Sequence, residues 1–206
     1  MPARSARTPR WWWLAALLAA GVAAYSLRYV VRGERAYVPD LAASFRARPW
    51  AIGLHAFFGP IALTLGLAQF HPAMRQTHRR RAHRIVGRIY GVSAVALAFA
   101  GLYMSFYSAG GMVTHAGFGL LALAVLATTF QGYRSIRVRD VTRHREWMLR
   151  SYVLIFGAVT LRLWLPLLIV AYRGDFIAAY RWVAWLSWVP NIFWAEWIIR
   201  RGWHPG

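Results

Sequence analysis

Four histidines stand in or at the edge of apolar stretches of this chain, at positions 55, 83, 115 and 144. A neutral imidazole nitrogen is a common metal ligand, and two of them can grip haem iron without covalent attachment. Three of the four repeat one local pattern, a histidine followed four residues later by glycine: HAFFG at 55–59, HRIVG at 83–87 and HAGFG at 115–119. On a helix, position i+4 returns to the face of position i. Gly59, Gly87 and Gly119 therefore share a face with His55, His83 and His115, where a missing side chain lets a flat macrocycle lie close. Behind His55 the small face continues through Ala62 and Gly66, and behind His83 through Ala94 and Gly101. His144 departs from the pattern, with Met148 at i+4. Small residues also serve ordinary close packing of membrane helices, and a single buried histidine often just bonds a neighbouring helix. The weight rests on four histidines in four consecutive segments.

Three arginines lie in the same apolar stretches. Arg162, in VTLRLWLPLL, is the deepest, and an intramembrane arginine calls for a partner. Eighteen residues, five turns, separate it from His144, so on an unbroken helix the two share a face. Its expected partner is a propionate of an outer haem or an anionic substrate at the outer opening; the alternative is snorkelling to headgroups. Arg88 and Arg150 lie about a turn inside the inner boundary and are expected to hold inner propionates or to snorkel. Glu196, four residues before Arg200, is expected to pair with it. His71 is a further candidate inner ligand. His78, among arginines, and His204, near the C-terminus, carry little weight.

The elements that carry these residues follow from hydropathy. The chain is 59% hydrophobic with twelve Trp, ten Tyr and eleven Phe, above the usual content of a soluble domain. Apolar runs approach the roughly 20 residues that cross a bilayer. The expected fold class is an all-α polytopic bundle of six transmembrane helices in a single domain, residues 1–206. The helices are placed at about 11–31, 50–70, 83–107, 113–133, 142–172 and 177–199. Helices two to five form the histidine-bearing core, and Pro166 should kink the fifth. The first run could instead be a secretory signal. Its Trp triplet suits an interfacial belt and favours an uncleaved helix.

The net charge is +19 and every basic residue is arginine. The arginines cluster in the short gaps between apolar runs, where topology signals lie, so a nucleic-acid partner is not expected and contact with anionic membrane lipids is. The Arg-for-Lys bias fits a GC-rich bacterial genome. Both arginine-rich loops, 71–82 and 134–145, should be cytoplasmic, which puts both termini inside a bacterial inner membrane. The 32–49 loop then lies outside despite four arginines. The chain has no cysteine, which excludes disulfides, thiolate metal sites and covalent CxxCH haem attachment. No HExxH motif and no ladder of buried carboxylates is present, which argues against a zinc enzyme and a proton-driven pump.

This topology sorts the histidines by depth. His55 and His115 enter from outside and lie near the outer surface; His83 and His144 lie near the inner one. The expectation is two b-type haems per chain, each held by histidines from helices two apart. Electrons would pass between a donor on one face and an acceptor on the other, so a transmembrane oxidoreductase is one outcome. The rival class is a haem-free membrane protein, a small-solute carrier or a structural partner in a complex, with His and Arg as interhelical polar contacts. A homo-oligomer is compatible with either.

Two resemblances stand beside this reading. The segments LHAFFGPIALTLGLAQF, HRIVGRIYG and HREWMLRSYVLIFGAVTLRLWLPL, over about residues 50–170, resemble the prokaryotic membrane proteins grouped as domain of unknown function 2306. That likeness implies a membrane protein and no activity. The architecture is also similar to transmembrane ascorbate-dependent b-type cytochromes, with one histidine on each of four core helices. The likeness implies that the first and third core helices share one haem and the second and fourth the other. His55, His83, His115 and His144 match that order with gaps of 28, 32 and 29 residues. No match to that family's substrate-binding residues is present, so the likeness implies no substrate.

Overall fold

The computed structural model describes residues 8–202. The described residues form nine α-helices, short 3-10 turns and no strand. Helix α1 spans Arg10–Arg32, α2 Pro39–Arg46, α3 Pro49–Gln69, α4 Arg80–Ser105, α5 Met112–Arg137, α6 Val141–Ile155, α7 Gly157–Ala171, α8 Phe176–Leu186 and α9 Val189–Arg200. Five stretches are long and apolar enough to cross a membrane: Arg10–Ala36, Pro49–Gln69, Arg80–Ser105, Met112–Arg137 and Val141–Ala171. Their outward faces carry large apolar side chains such as Val92, Phe99, Phe130, Leu167 and Val170, all well exposed. A water-soluble protein would not leave so much apolar surface bare.

The four core helices form a ring. α3 packs on α4, α4 on α5, α5 on α6, and α6 back on α3. α3 and α5 thus occupy one diagonal and α4 and α6 the other. α1 lies outside this ring against α3 and α7, while α8 covers α5 and α7, and α9 covers α6. Small residues allow the close approach. A side-chain carbon added to Gly66 would lie 2.5 Å from the Tyr152 ring and 2.6 Å from that of Tyr90. At Gly132 it would lie 2.6 Å from the sulfur of Met148.

The fifth and sixth predicted helices are each broken, which corrects the expectation of continuous rods. The fifth breaks at Phe156, between α6 and α7, and not at Pro166, which sits inside α7. The sixth breaks at Ser187–Trp188, where Pro190 in the first turn of α9 has no N–H to donate and its ring would clash with the carbonyl one turn earlier. The two breaks lie side by side. A side-chain carbon on Gly157 would be 3.2 Å from the Ser187 carbonyl oxygen. Broken backbone inside a bilayer must find internal partners. Here Asn191 Nδ2 lies 3.1 Å from the carbonyl oxygens of both Val153 and Ser187, and Thr160 Oγ1 donates to Ser187 O. The expected irregular loop at 32–49 holds a 3-10 turn, Gly33–Ala36, and the short helix α2.

Candidate functional site

The histidines reach two levels because the ring helices alternate in direction. His55 lies near the start of α3 and His115 near the start of α5, at one end of the bundle. His83 and His144 lie near the starts of α4 and α6, at the other. At the His55 end, the ring of His55 packs 3.5 Å from where a side-chain carbon of Gly101 on α4 would stand. At the same end of the bundle, the Arg48 guanidinium sits 3.4 Å over the Tyr107 ring and Trp50 meets Tyr103 at 4.6 Å. At the His83 end, Gln69 Nε2 donates to the His83 carbonyl oxygen at 3.3 Å. Each predicted pair thus spans a diagonal, His55 with His115 and His83 with His144.

What the ring nitrogens do tests their fitness for haem. His144 Nδ1 lies 2.8 Å from the Gly132 carbonyl oxygen. With the proton on Nδ1, that bond fixes the tautomer in which Nε2 carries the lone pair, the usual arrangement of a metal-bound histidine. His55 Nδ1 is buried with no hydrogen-bond partner. His115 differs, because its Nε2 lies 3.1 Å from the Ser108 carbonyl oxygen in the turn before α5. Ligation through that nitrogen would require His115 to let go of Ser108. His144, which lacks the following glycine and departs from the sequence pattern, therefore has the more orthodox setting. No cluster of three or more metal-binding side chains occurs among the described residues.

Between the two levels the bundle is filled. Tyr90 OH and Ser151 Oγ lie 2.7 Å apart, and Ser151 Oγ lies 2.7 Å from Thr129 Oγ1. Tyr90 and Ser151 are fully buried, and their bond ties the α4–α6 diagonal together. Leu63, Leu67, Ala94, Ala98, Val125 and Tyr152 pack around it. Sequence reasoning missed this layer. The sequence signal would have been a tyrosine, a serine and a threonine on three apolar helices, seven residues beyond His83, seven beyond His144 and fourteen beyond His115.

The glycines that follow the histidines do not line an opening. Added carbons on Gly59 and Gly87 would meet Leu97 at 3.6 Å and the Gln69 side-chain oxygen at 3.9 Å, and one on Gly119 would meet Ser105 Oγ at 3.3 Å. Arg150 and Arg88 go elsewhere than to a shared interior, whereas Arg162 stays within electrostatic reach of the buried His55. Arg150 Nε and Nη2 donate to the Glu196 carboxylate at 2.6 and 3.0 Å, with Glu146 at 3.8 Å. Glu196 is therefore held by Arg150 across α6 and α9 rather than through an i,i+4 pair with Arg200. Arg88 is exposed on the outer face of α4, the setting of a snorkelling side chain. Arg162 turns toward α1, where Nη2 donates to Ser26 Oγ at 3.0 Å; Nη1 donates to the Ala158 carbonyl oxygen at 2.8 Å.

His71 is bound up locally. Its Nδ1 accepts from Ala73 N at 3.1 Å and its Nε2 lies 3.0 Å from Thr8 Oγ1, with Trp12 packed edge-on. His78 is exposed, and His204 lies outside the described residues. At the His144 end, a cleft of about 420 Å³ opens between α5 and α6. Arg134, Arg143 and Arg150 line it with Asp140 and Glu146, and no histidine does.

Residues 52–199 match the model of a family described as predicted membrane protein (DUF2306). The chain belongs to the DUF2306 family. The matched region takes in the four core helices but for the first three residues of α3, the four histidines, Arg162 and both helix breaks of this DUF2306 protein, and leaves out all of α1 and α2. No curated protein and no solved structure matches the chain.

Proposed function

We propose that this DUF2306 protein binds b-type haem between diagonal helices and carries electrons within the membrane. The observation that supports it most is the crossed arrangement: two parallel helices with His55 and His115 toward one end, and two with His83 and His144 toward the other. Haem b would supply a one-electron iron couple. The chain's own contribution is to present imidazole nitrogens in the right tautomer and to keep water from them. His144 does the first through Gly132, and the apolar packing around Tyr90 does the second. The inner pair, His83 and His144, is the better supported site. The outer pair needs His115 to exchange its Ser108 contact for iron. The proposal drops the propionate role for Arg150, already neutralised by Glu196, and for Arg88, which faces outward.

Two observations favour the haem-free reading: His115 Nε2 is engaged by Ser108, and the bundle centre is closely packed. In that case the histidines are interhelical contacts of a carrier or a complex subunit. A dithionite-reduced-minus-oxidised spectrum of purified protein, with haem counted per chain, separates the two. Two haems support both pairs and one supports the inner pair alone. None, from haem-replete cells, defeats the proposal.

A further inference from the structure

Two arginines share one tyrosine near the outer end of the bundle. The Arg28 guanidinium carbon lies 3.8 Å from the Tyr25 ring centroid, and that of Arg162 lies 5.3 Å from the same centroid. Arg28 comes from α1 and Arg162 from α7. The two like charges are drawn to one ring, yet neither meets a carboxylate among the described residues. Their other contacts are neutral: Tyr29 OH for Arg28, Ser26 Oγ and the Ala158 carbonyl for Arg162. The Nε atom of each is buried and has no hydrogen-bond partner. Cation–π contact offsets part of the cost of two close guanidiniums but leaves those donors unused.

Buried donors on two unneutralised arginines call for an acceptor with negative charge and several oxygens. Guanidinium forks match the geometry of a phosphate group, which accepts charge-assisted bonds from more than one side. Arg28 is one turn before the end of α1 at Arg32, about 6 Å along the axis and near the headgroups, and Arg162, nine residues before the end of α7 at Ala171, reaches the same tyrosine from deeper in the span. Tyr25 is 44% exposed, so the place opens outward from the bundle rather than into it. Tyr25 and Tyr29 are the amphipathic rings that favour this depth.

We propose that Arg28 and Arg162, on either side of Tyr25, form a binding site for a single phosphate group at the outer membrane boundary. The group is either the headgroup phosphate of an anionic lipid or free phosphate. The site does not depend on haem. It joins α1, all of which lies outside the family match, to α7, which lies within it.

The test is calorimetric titration of the protein in neutral maltoside, with short-chain phosphatidylglycerol and, separately, with inorganic phosphate. One saturable site is expected, weakened at least tenfold in R28Q and in R162Q. R173Q, which removes an equal charge from the exposed turn after α7, should bind as the wild type does. Lipid binding without phosphate binding identifies a headgroup, and phosphate that competes with lipid identifies a soluble anion. The proposal is overturned if neither probe binds, or if R28Q binds like the wild type. R28Q alone decides the matter should R162Q fail to fold, because Arg28 stands on the peripheral helix.

Discussion

His144 Nδ1 lies 2.8 Å from the carbonyl oxygen of Gly132, across the α5–α6 interface. The bond does two jobs that substitution can separate. An amide at this position can still donate to Gly132 but cannot ligate iron. In H144Q, thermal stability should stay within about 0.5 kcal/mol of the wild type, while haem per chain falls by one in a pyridine haemochrome assay. H144A should lose both the haem and about 1 kcal/mol. If H144Q keeps its full haem content, His144 is a structural residue only.

The glycines divide by what surrounds them. G66A would drive a carbon to within 2.5 Å of the Tyr152 ring, and overpacking of this kind costs about 1–3 kcal/mol. G59A and G87A meet neighbours at ordinary contact distance and should unfold with the wild type. Chemical denaturation in mixed micelles reads this difference. Equal losses in all three variants would show that the ring packs differently from the contacts described.

Asn191 closes two helix breaks with one amide. N191L leaves the Val153 carbonyl without that donor and Ser187 with Thr160 alone. Stranding a buried backbone acceptor costs about 1–3 kcal/mol. The expected loss is in that range, measured as a lowered unfolding midpoint, and N191D should not restore it because a carboxylate offers no donor. An N191L protein as stable as the wild type would mean that the breaks are satisfied by other groups.

Arg150 and Glu196 join α6 to α9 through two parallel bonds, with the arginine side chain only 14% exposed. Removing one partner of a half-buried pair should cost more than removing both. R150M and E196Q are each expected to destabilise by about 1–3 kcal/mol, and the double variant by less than their sum. A strictly additive cycle would show that the pair contributes no coupling.

The core helices were legible because hydropathy and arginine-rich gaps are properties of a single strand of sequence. Pro49 to Gln69 and Arg80 to Ser105 emerge within a few residues of where the apolar runs place them. The breaks were not legible in the same way. Gly157 and Phe156 carry no local signal that outranks Pro166, and what holds the break open is Asn191, some 34 residues further on. The partner of Arg162 was not legible either, because Ser26 of α1 meets it only through tertiary packing. Glu196 had Arg200 at the right spacing, yet Arg150 arrives through tertiary packing. The histidine–glycine repeat was visible, and its glycines stand at contact distance from Leu97, Gln69 and Ser105. The glycines under tightest contact, Gly66 and Gly132, are marked by the partners opposite them, Tyr152 and Met148, which no local pattern shows.

The adjoining breaks at Phe156 and Ser187–Trp188 bear on how the chain is made. While only the segment up to Tyr172 has been synthesised, the Val153 carbonyl still lacks the Asn191 amide that will meet it. A nascent chain at that stage therefore carries an unfinished polar spot in its fifth span. It is sealed when α8 and α9 arrive and bring Ser187 and Asn191 alongside. The last two helices are thus a closing piece for the fifth, and a chain truncated before them should stall at the translocon or be degraded, even though all four core histidines are already in place.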